Sequence, residues 1–138
     1  MSYWRLVEPY WDMVSIYGSA DEFTRQFAGL PIVSQHLYAT HWTQSEVQNG
    51  GLGQFFDNST GILAPEAVAG FRALGMPQAA AALVEAMNQF GDPYPREREG
   101  REAVTPSAPI ENQFAELLET EAGGFWDAAD RFAENHGS

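Results

Sequence analysis

A chain of 138 residues is the size of one domain, and 44% hydrophobic content with four Trp, five Tyr and nine Phe predicts a folded globule rather than a disordered chain. The absence of cysteine excludes disulfides, thiol nucleophiles and thiolate metal sites together. Nineteen acidic residues face seven arginines and no lysine, and the net charge of −12 opposes direct binding to nucleic acid or to anionic membrane surfaces.

No run of about 18 apolar residues is present to cross a membrane. The opening MSYWRLVEPYW lacks the basic start and unbroken apolar stretch of a secretion signal. A cytoplasmic location is therefore expected.

In chain order, Trp4, Val7, Tyr10, Trp11, Val14 and Tyr17 recur at steps of three and four, a helical stripe. Pro9 places the start of the regular helix near Glu8, and Gly18 ends it. Ser19 to Glu22 has the spacing of a capping box, in which each side chain satisfies a free backbone donor of the other. The helix that follows carries Phe23, Phe27 and Leu30. Pro31 starts a third helix whose inner stripe is Val33, Leu37, Thr40, Gln44 and Val47. Gln44 is polar on a stripe that should be buried. Asn49, Gly50 and Gly51 stop this helix, because Asn and Gly tolerate the left-handed conformation of a C-terminus.

A short segment, LGQFFDNS, precedes a helix with Pro65 at its start, Val68, Phe71 and Leu74 inward, and Gly75 at its end. Met76-Pro77 opens the cleanest amphipathic pattern of the chain, with Ala79, Ala82, Leu83, Ala86, Met87 and Phe90 on one face. Residues 91–109 hold four prolines and two glycines and predict an exposed connection. There Arg96, Arg98 and Arg101 alternate with Glu97, Glu99 and Glu102, so the charges should neutralise one another. Phe114, Leu117 and Leu118 mark a further helix, Gly123-Gly124 breaks it, and Phe125, Trp126, Ala129, Phe132 and Ala133 mark the last. No strand-like alternation, repeat or domain boundary appears. The prediction is one all-α domain over residues 1–138, a compact bundle of six to seven short helices.

Catalytic chemistry finds little support. His36 and His41 stand five apart, about 140° away from one helical face, and no HEXXH spacing occurs, so no metal site is expected. There is no G-x-S-x-G elbow, and Gly50, Gly51 and Gly53 lack the lysine and preceding strand of a phosphate loop. No catalytic residue and no cofactor is assigned. The polar set Gln44, Glu46, Asn49, Gln54 and Asn58, beside Phe55 and Phe56, admits two roles. Its amides either tie the helix end to the loop by capping free carbonyls or line a small polar pocket.

The run E46-V-x-N-G-G-x-x-Q-F-F-x-N58 resembles a bacterial family of helical domains of unknown function, one that includes the C-terminal domain of a neisserial DNA-mimic protein. Glu46, Asn49, Gly50, Gly51, Gln54, Phe56, Asn58 and Ser59 match the family pattern E-V-N-N-G-G-F-x-Q-Y/F-F-x-N-S, while Gln48 and Leu52 depart from it. The resemblance covers residues 30–90 well and both ends loosely, and the last helix, FWDAADRFAENH, is similar to the family's closing segment.

The resemblance implies a non-enzymatic, acidic protein, homodimeric in the characterised relative, whose carboxylates imitate DNA phosphates toward a basic or DNA-binding protein. Glu111, Glu116, Glu119, Glu121, Asp127, Asp130 and Glu134 form the acidic surface that such a role would use. Two alternatives stand beside it. One is a small-ligand binder or uncharacterised enzyme built on the segment 46–58, and the other is an immunity-type inhibitor of a basic toxin.

Overall fold

The computed structural model describes residues 2–102 and 104–136. Among them there are seven α-helices, short 3-10 turns and no strand, as the all-α expectation requires.

The first aromatic stripe does not make a continuous helix. It forms 3-10 turns at Tyr3–Leu6 and Glu8–Met13, and the chain becomes extended at Val14. The Ser15 N–H is taken by the Gln26 side chain at 2.6 Å instead of a helical carbonyl, and Tyr17 is left 79% exposed. The aromatic rings pack across the structure instead. Trp11 stacks on Trp42 at 5.0 Å, and Trp4 lies 4.9 Å from the His41 ring. Tyr3 is buried and shares a 2.6 Å hydrogen bond between its Oη and His41 Nδ1. Burial lowers the pKa of His41 and raises that of Tyr3, the latter with help from Asp130.

Helix α1 (Ala20–Ala28) begins where Ser19 Oγ accepts the Glu22 N–H at 3.1 Å. Only half of the expected box forms, because the Glu22 carboxylate accepts from Gln26 Nε2 at 3.1 Å. Phe23 and Phe27 stack at 5.2 Å on its buried side.

Helix α2 (Ile32–Gly50) is the central rod, against which most of the other elements pack. Its buried stripe runs through Leu37, Thr40, Gln44 and Val47 as the sequence predicts. The threonines on it need no outside partner: Thr40 and Thr43 hydroxyls donate to the His36 and Ala39 carbonyls at 2.8 Å. After α3 (Leu52–Asp57) and a 3-10 turn at Ser59–Leu63 comes α4 (Ala64–Ala73). A Cβ on Gly70 would lie 2.8 Å from the His36 carbonyl and 2.7 Å from Thr40 Cγ2. The missing side chain is what lets α4 approach α2 so closely. Helix α5 (Pro77–Met87) buries its alanine face, and α6 (Ala108–Thr120) and α7 (Phe125–His136) close the bundle with Phe114, Leu118, Phe125 and Ala129. Trp126, expected on the inner stripe, is instead about half exposed. Among the described residues no helix is long and apolar enough to cross a membrane.

The connection 91–109 departs most from expectation. Arg101 is 1% exposed and forms no ion pair among the described residues. Its Nε donates to the Phe56 carbonyl at 2.9 Å, Nη1 to those of Pro95 and Arg96 at 3.0 and 2.7 Å, and Nη2 to Asn58 at 3.0 Å. Arg98 Nε donates to the Asp57 carbonyl at 2.7 Å and Tyr94 Oη to that of Gly61 at 2.7 Å. Arg96 pairs with Glu66 through both terminal nitrogens and also reaches the Ile62 carbonyl at 2.9 Å. The cause is local. A six-residue helix leaves most of its carbonyls without intrahelical donors, and the end of α3 is covered by arginines drawn from the connection. Burial lowers the Arg101 pKa, from an ordinary value so high that the guanidinium stays charged.

Arg101→Met orphans a set of buried carbonyls and should lower unfolding stability by about 2–4 kcal/mol in urea titrations. Arg101→Lys should recover little of it, because an ammonium cannot reproduce the fork that reaches carbonyls on both sides. A second expectation concerns pH. The folded pKa of His41 lies below its ordinary 6.5, so below that pH the unfolded chain binds the proton that the fold resists, and stability falls. His41→Gln should show a smaller drop in Tm between pH 7.5 and 5 than the parent protein.

Candidate functional site

The turn from α2 into α3 takes a single residue, Gly51, at φ +88° and ψ 171°. That conformation is open essentially to glycine alone. Gly50 has a different constraint: a Cβ there would collide with the Gln54 side-chain amide. The two glycines thus fold α3 back beside the last turns of α2. Glu46 on α2 then faces Gln54 on α3 and Asn58 just beyond it. Glu46 Oε2 accepts from Gln54 Nε2 at 2.9 Å and from Asn58 Nδ2 at 3.1 Å. The amides therefore serve a carboxylate rather than the carbonyls that end α2.

The other members of the polar set separate. Asn49 is exposed at the end of α2. Gln44 is 2% exposed, and its Oε1 has no hydrogen-bond partner. Phe56 is fully buried, 4.8 Å from the Phe90 ring, and belongs to the core. LGQFFDNS, to which the sequence assigned no secondary structure, is helical through Asp57.

Glu46 and Asn58 line one side of a cleft of about 240 Å³, with Ile16, Tyr17, Ser59, Thr60 and Arg98 around the rest. A second cleft of about 230 Å³ adjoins it and shares Ile16, Tyr17, Ser59 and Arg98. Gln54 and Asn58 also border a shallow depression beside Glu102, Val104 and Thr105. Sequence reasoning assigned no site role to Tyr17 or Arg98. Neither carries a local signal, since both reach the cleft through tertiary folding of segments far from the motif.

The acidic candidates divide into two groups. Glu111 Oε1 accepts the Gly53 N–H at 3.2 Å, at the start of α3. The Glu121 oxygens accept the Gln78 and Ala79 N–H groups at 2.8 Å each, at the start of α5. Asp130 Oδ1 accepts the Tyr3 N–H at 2.7 Å. These three are inward-facing caps, placed where free backbone donors and the positive end of a helix favour a carboxylate. Glu116, Glu119, Asp127 and Glu134 are exposed. Arg131, the one cation of the last two helices, donates to the Ala122 carbonyl at 2.7 Å.

A sequence profile for a family described as DMP19-like protein matches residues 28–136. No curated protein and no solved structure matches the chain.

Gly51→Ala should cost about 1–3 kcal/mol of stability in urea unfolding, from the forbidden backbone angles and from the Glu111 carboxylate standing where the new methyl would go.

Proposed function

The chain belongs to the DMP19-like protein family, and from that premise we propose that it acts without catalysis, as an acidic protein that engages a basic, DNA-binding protein through surface carboxylates. The observation that carries this reading is where the arginines go. Arg101 is buried on main-chain carbonyls, Arg98 is tied through Nε to the end of α3, and Arg131 donates to the Ala122 carbonyl, so each of the three is anchored to a helix end. Nineteen acids against seven arginines, one of which already pairs with Glu66, leave a net charge of −12, and the field of such an imbalance steers cationic partners.

Glu116 and Glu119 lie one turn apart on α6, and Asp127 and Glu134 two turns apart on α7. The latter interval is about 10.5 Å of rise, close to three phosphate steps of one DNA strand at about 3.4 Å each. Glu111, Glu121 and Asp130 are left out of this surface because they cap backbone donors. The mimicking surface in this proposal is the exposed subset alone.

The test is competition. A basic DNA-binding protein captured from the source lysate and identified is loaded with labelled duplex, and this protein is added. Displacement of the duplex at low salt and its loss at about 0.5 M salt are expected, since exposed charges are screened there. The combined variant Glu116→Gln, Glu119→Gln, Asp127→Asn should need at least about tenfold more protein for the same displacement. Equal potency of that variant, or binding indifferent to salt, overturns the reading.

A further inference from the structure

The cleft beside Glu46 holds two opposite charges that do not meet. Glu46 and Arg98 both line it, yet they form no ion pair with each other among the described residues. Each is held by bonds to another group. Glu46 is held through Oε2 by the Gln54 and Asn58 amides, which leaves Oε1 unused. Arg98 is held through Nε by the Asp57 carbonyl, which leaves both terminal nitrogens unused. A flexible surface pair would collapse into contact. Here each charge is held by bonds to other groups, and charges preorganised in that way hold a ligand at little ordering cost.

The Ser59 hydroxyl and the Tyr17 phenol share the lining, and neither makes a side-chain hydrogen bond among the described residues. We infer that this cleft binds a small zwitterion, a free α-amino acid or dipeptide, with its ammonium group on Glu46 and its carboxylate on Arg98. The exposed Tyr17 ring offers an apolar face to the remainder of the ligand. About 240 Å³ falls below the roughly 300–1,000 Å³ of pockets for drug-sized molecules, which limits the ligand to this size. The adjoining cleft gives a side chain or second residue somewhere to extend.

Neighbouring charges select against simpler ligands. Glu97 and Glu99 border the adjoining cleft, and Glu97 is anchored there by accepting the Ala20 N–H at 3.3 Å. A plain anion meets these carboxylates together with Glu46, and a plain cation meets Arg98. Arg96 and Arg101 also lie on that border, but Arg96 is paired with Glu66 and Arg101 spends its N–H groups on main-chain carbonyls. Only a ligand bearing both signs in the right order satisfies the two sides at once. This inference uses a surface distinct from the exposed carboxylates of α6 and α7, so either proposal stands or falls without the other.

The test is calorimetric titration of the full chain with the free L-α-amino acids and glycylglycine, alongside their N-acetyl and carboxamide derivatives. At least one free zwitterion should bind saturably at millimolar concentration, and blocking either end should weaken it by about tenfold or more, the loss of one charge-assisted contact. Arg98→Gln should have an effect of the same size, and so should Glu46→Gln. Should Glu46→Gln fail to fold, having lost the charge that orients Gln54 and Asn58, Arg98→Gln decides the matter, because it leaves those bonds in place. Saturable binding by none of the probes, blocked derivatives that bind as well as the zwitterion, or a folded Arg98→Gln that binds like the parent would each overturn the inference.

Discussion

The guanidinium of Arg101, sealed against the carbonyls that end α3, is the interaction on which the rest of the arrangement depends. A charge without a carboxylate partner is ordinarily expelled from a protein interior. Here the carbonyl oxygens replace its hydration, and the guanidinium in turn satisfies acceptors that a short helix cannot satisfy alone. The bond network fixes the 94–101 stretch against 56–62, and with it the positions of Arg96, Arg98 and Tyr94. One wall of the cleft is therefore made by a segment whose own composition is that of a solvated loop.

A similar economy governs the acids. Glu111, Glu121 and Asp130 lie far along the chain from the backbone donors that they receive. Glu111 and Glu121 act as substitutes for local caps that the sequence does not supply at α3 and α5, while Asp130 adds to the local Ser2 cap of the first turn. Helix α5 opens with Met76-Pro77 and helix α3 with Gly51, none of which has a side-chain oxygen to offer a free N–H. In an acidic protein, then, a carboxylate in a crowded stretch need not belong to a surface field. Its role is decided by whether an uncapped helix start lies within reach.

The fold class was legible because helical periodicity is a local property. The α2 stripe, the alanine face of α5 and the stops at Gly51, Gly75 and Gly123-Gly124 all follow from side chains a few residues apart, and each is found where the pattern puts it, while the expected stop at Gly18 is not, because the chain leaves the 3-10 turn at Met13. The N-terminal stripe misled because a correct apolar spacing was satisfied by aromatic packing on α2, while Gln26 diverted the Ser15 N–H. The connection misled for the opposite reason. Alternating Arg and Glu reads as mutual neutralisation, but carbonyls at a helix end outcompeted the neighbouring carboxylates for Arg98 and Arg101. Of the cleft, the convergence of Glu46, Gln54 and Asn58 was visible as an amide-rich cluster. Tyr17 and Arg98 were not, since nothing in their surroundings encodes which distant segment they will border.

The long reach of the carboxylate caps also bears on how the molecule comes into being. Helices α3 and α5 lie in the first two-thirds of the chain, but the oxygens that close their first turns come from Glu111 and Glu121. A nascent chain that has emerged only as far as α5 has its central rod and much of its apolar face, yet both of these helix starts are open and the last core phenylalanines are missing. Domains generally fold as units during synthesis. This one takes its completing contacts from α6 and the turn after it, so the starts of α3 and α5 are closed only once those later elements are in place.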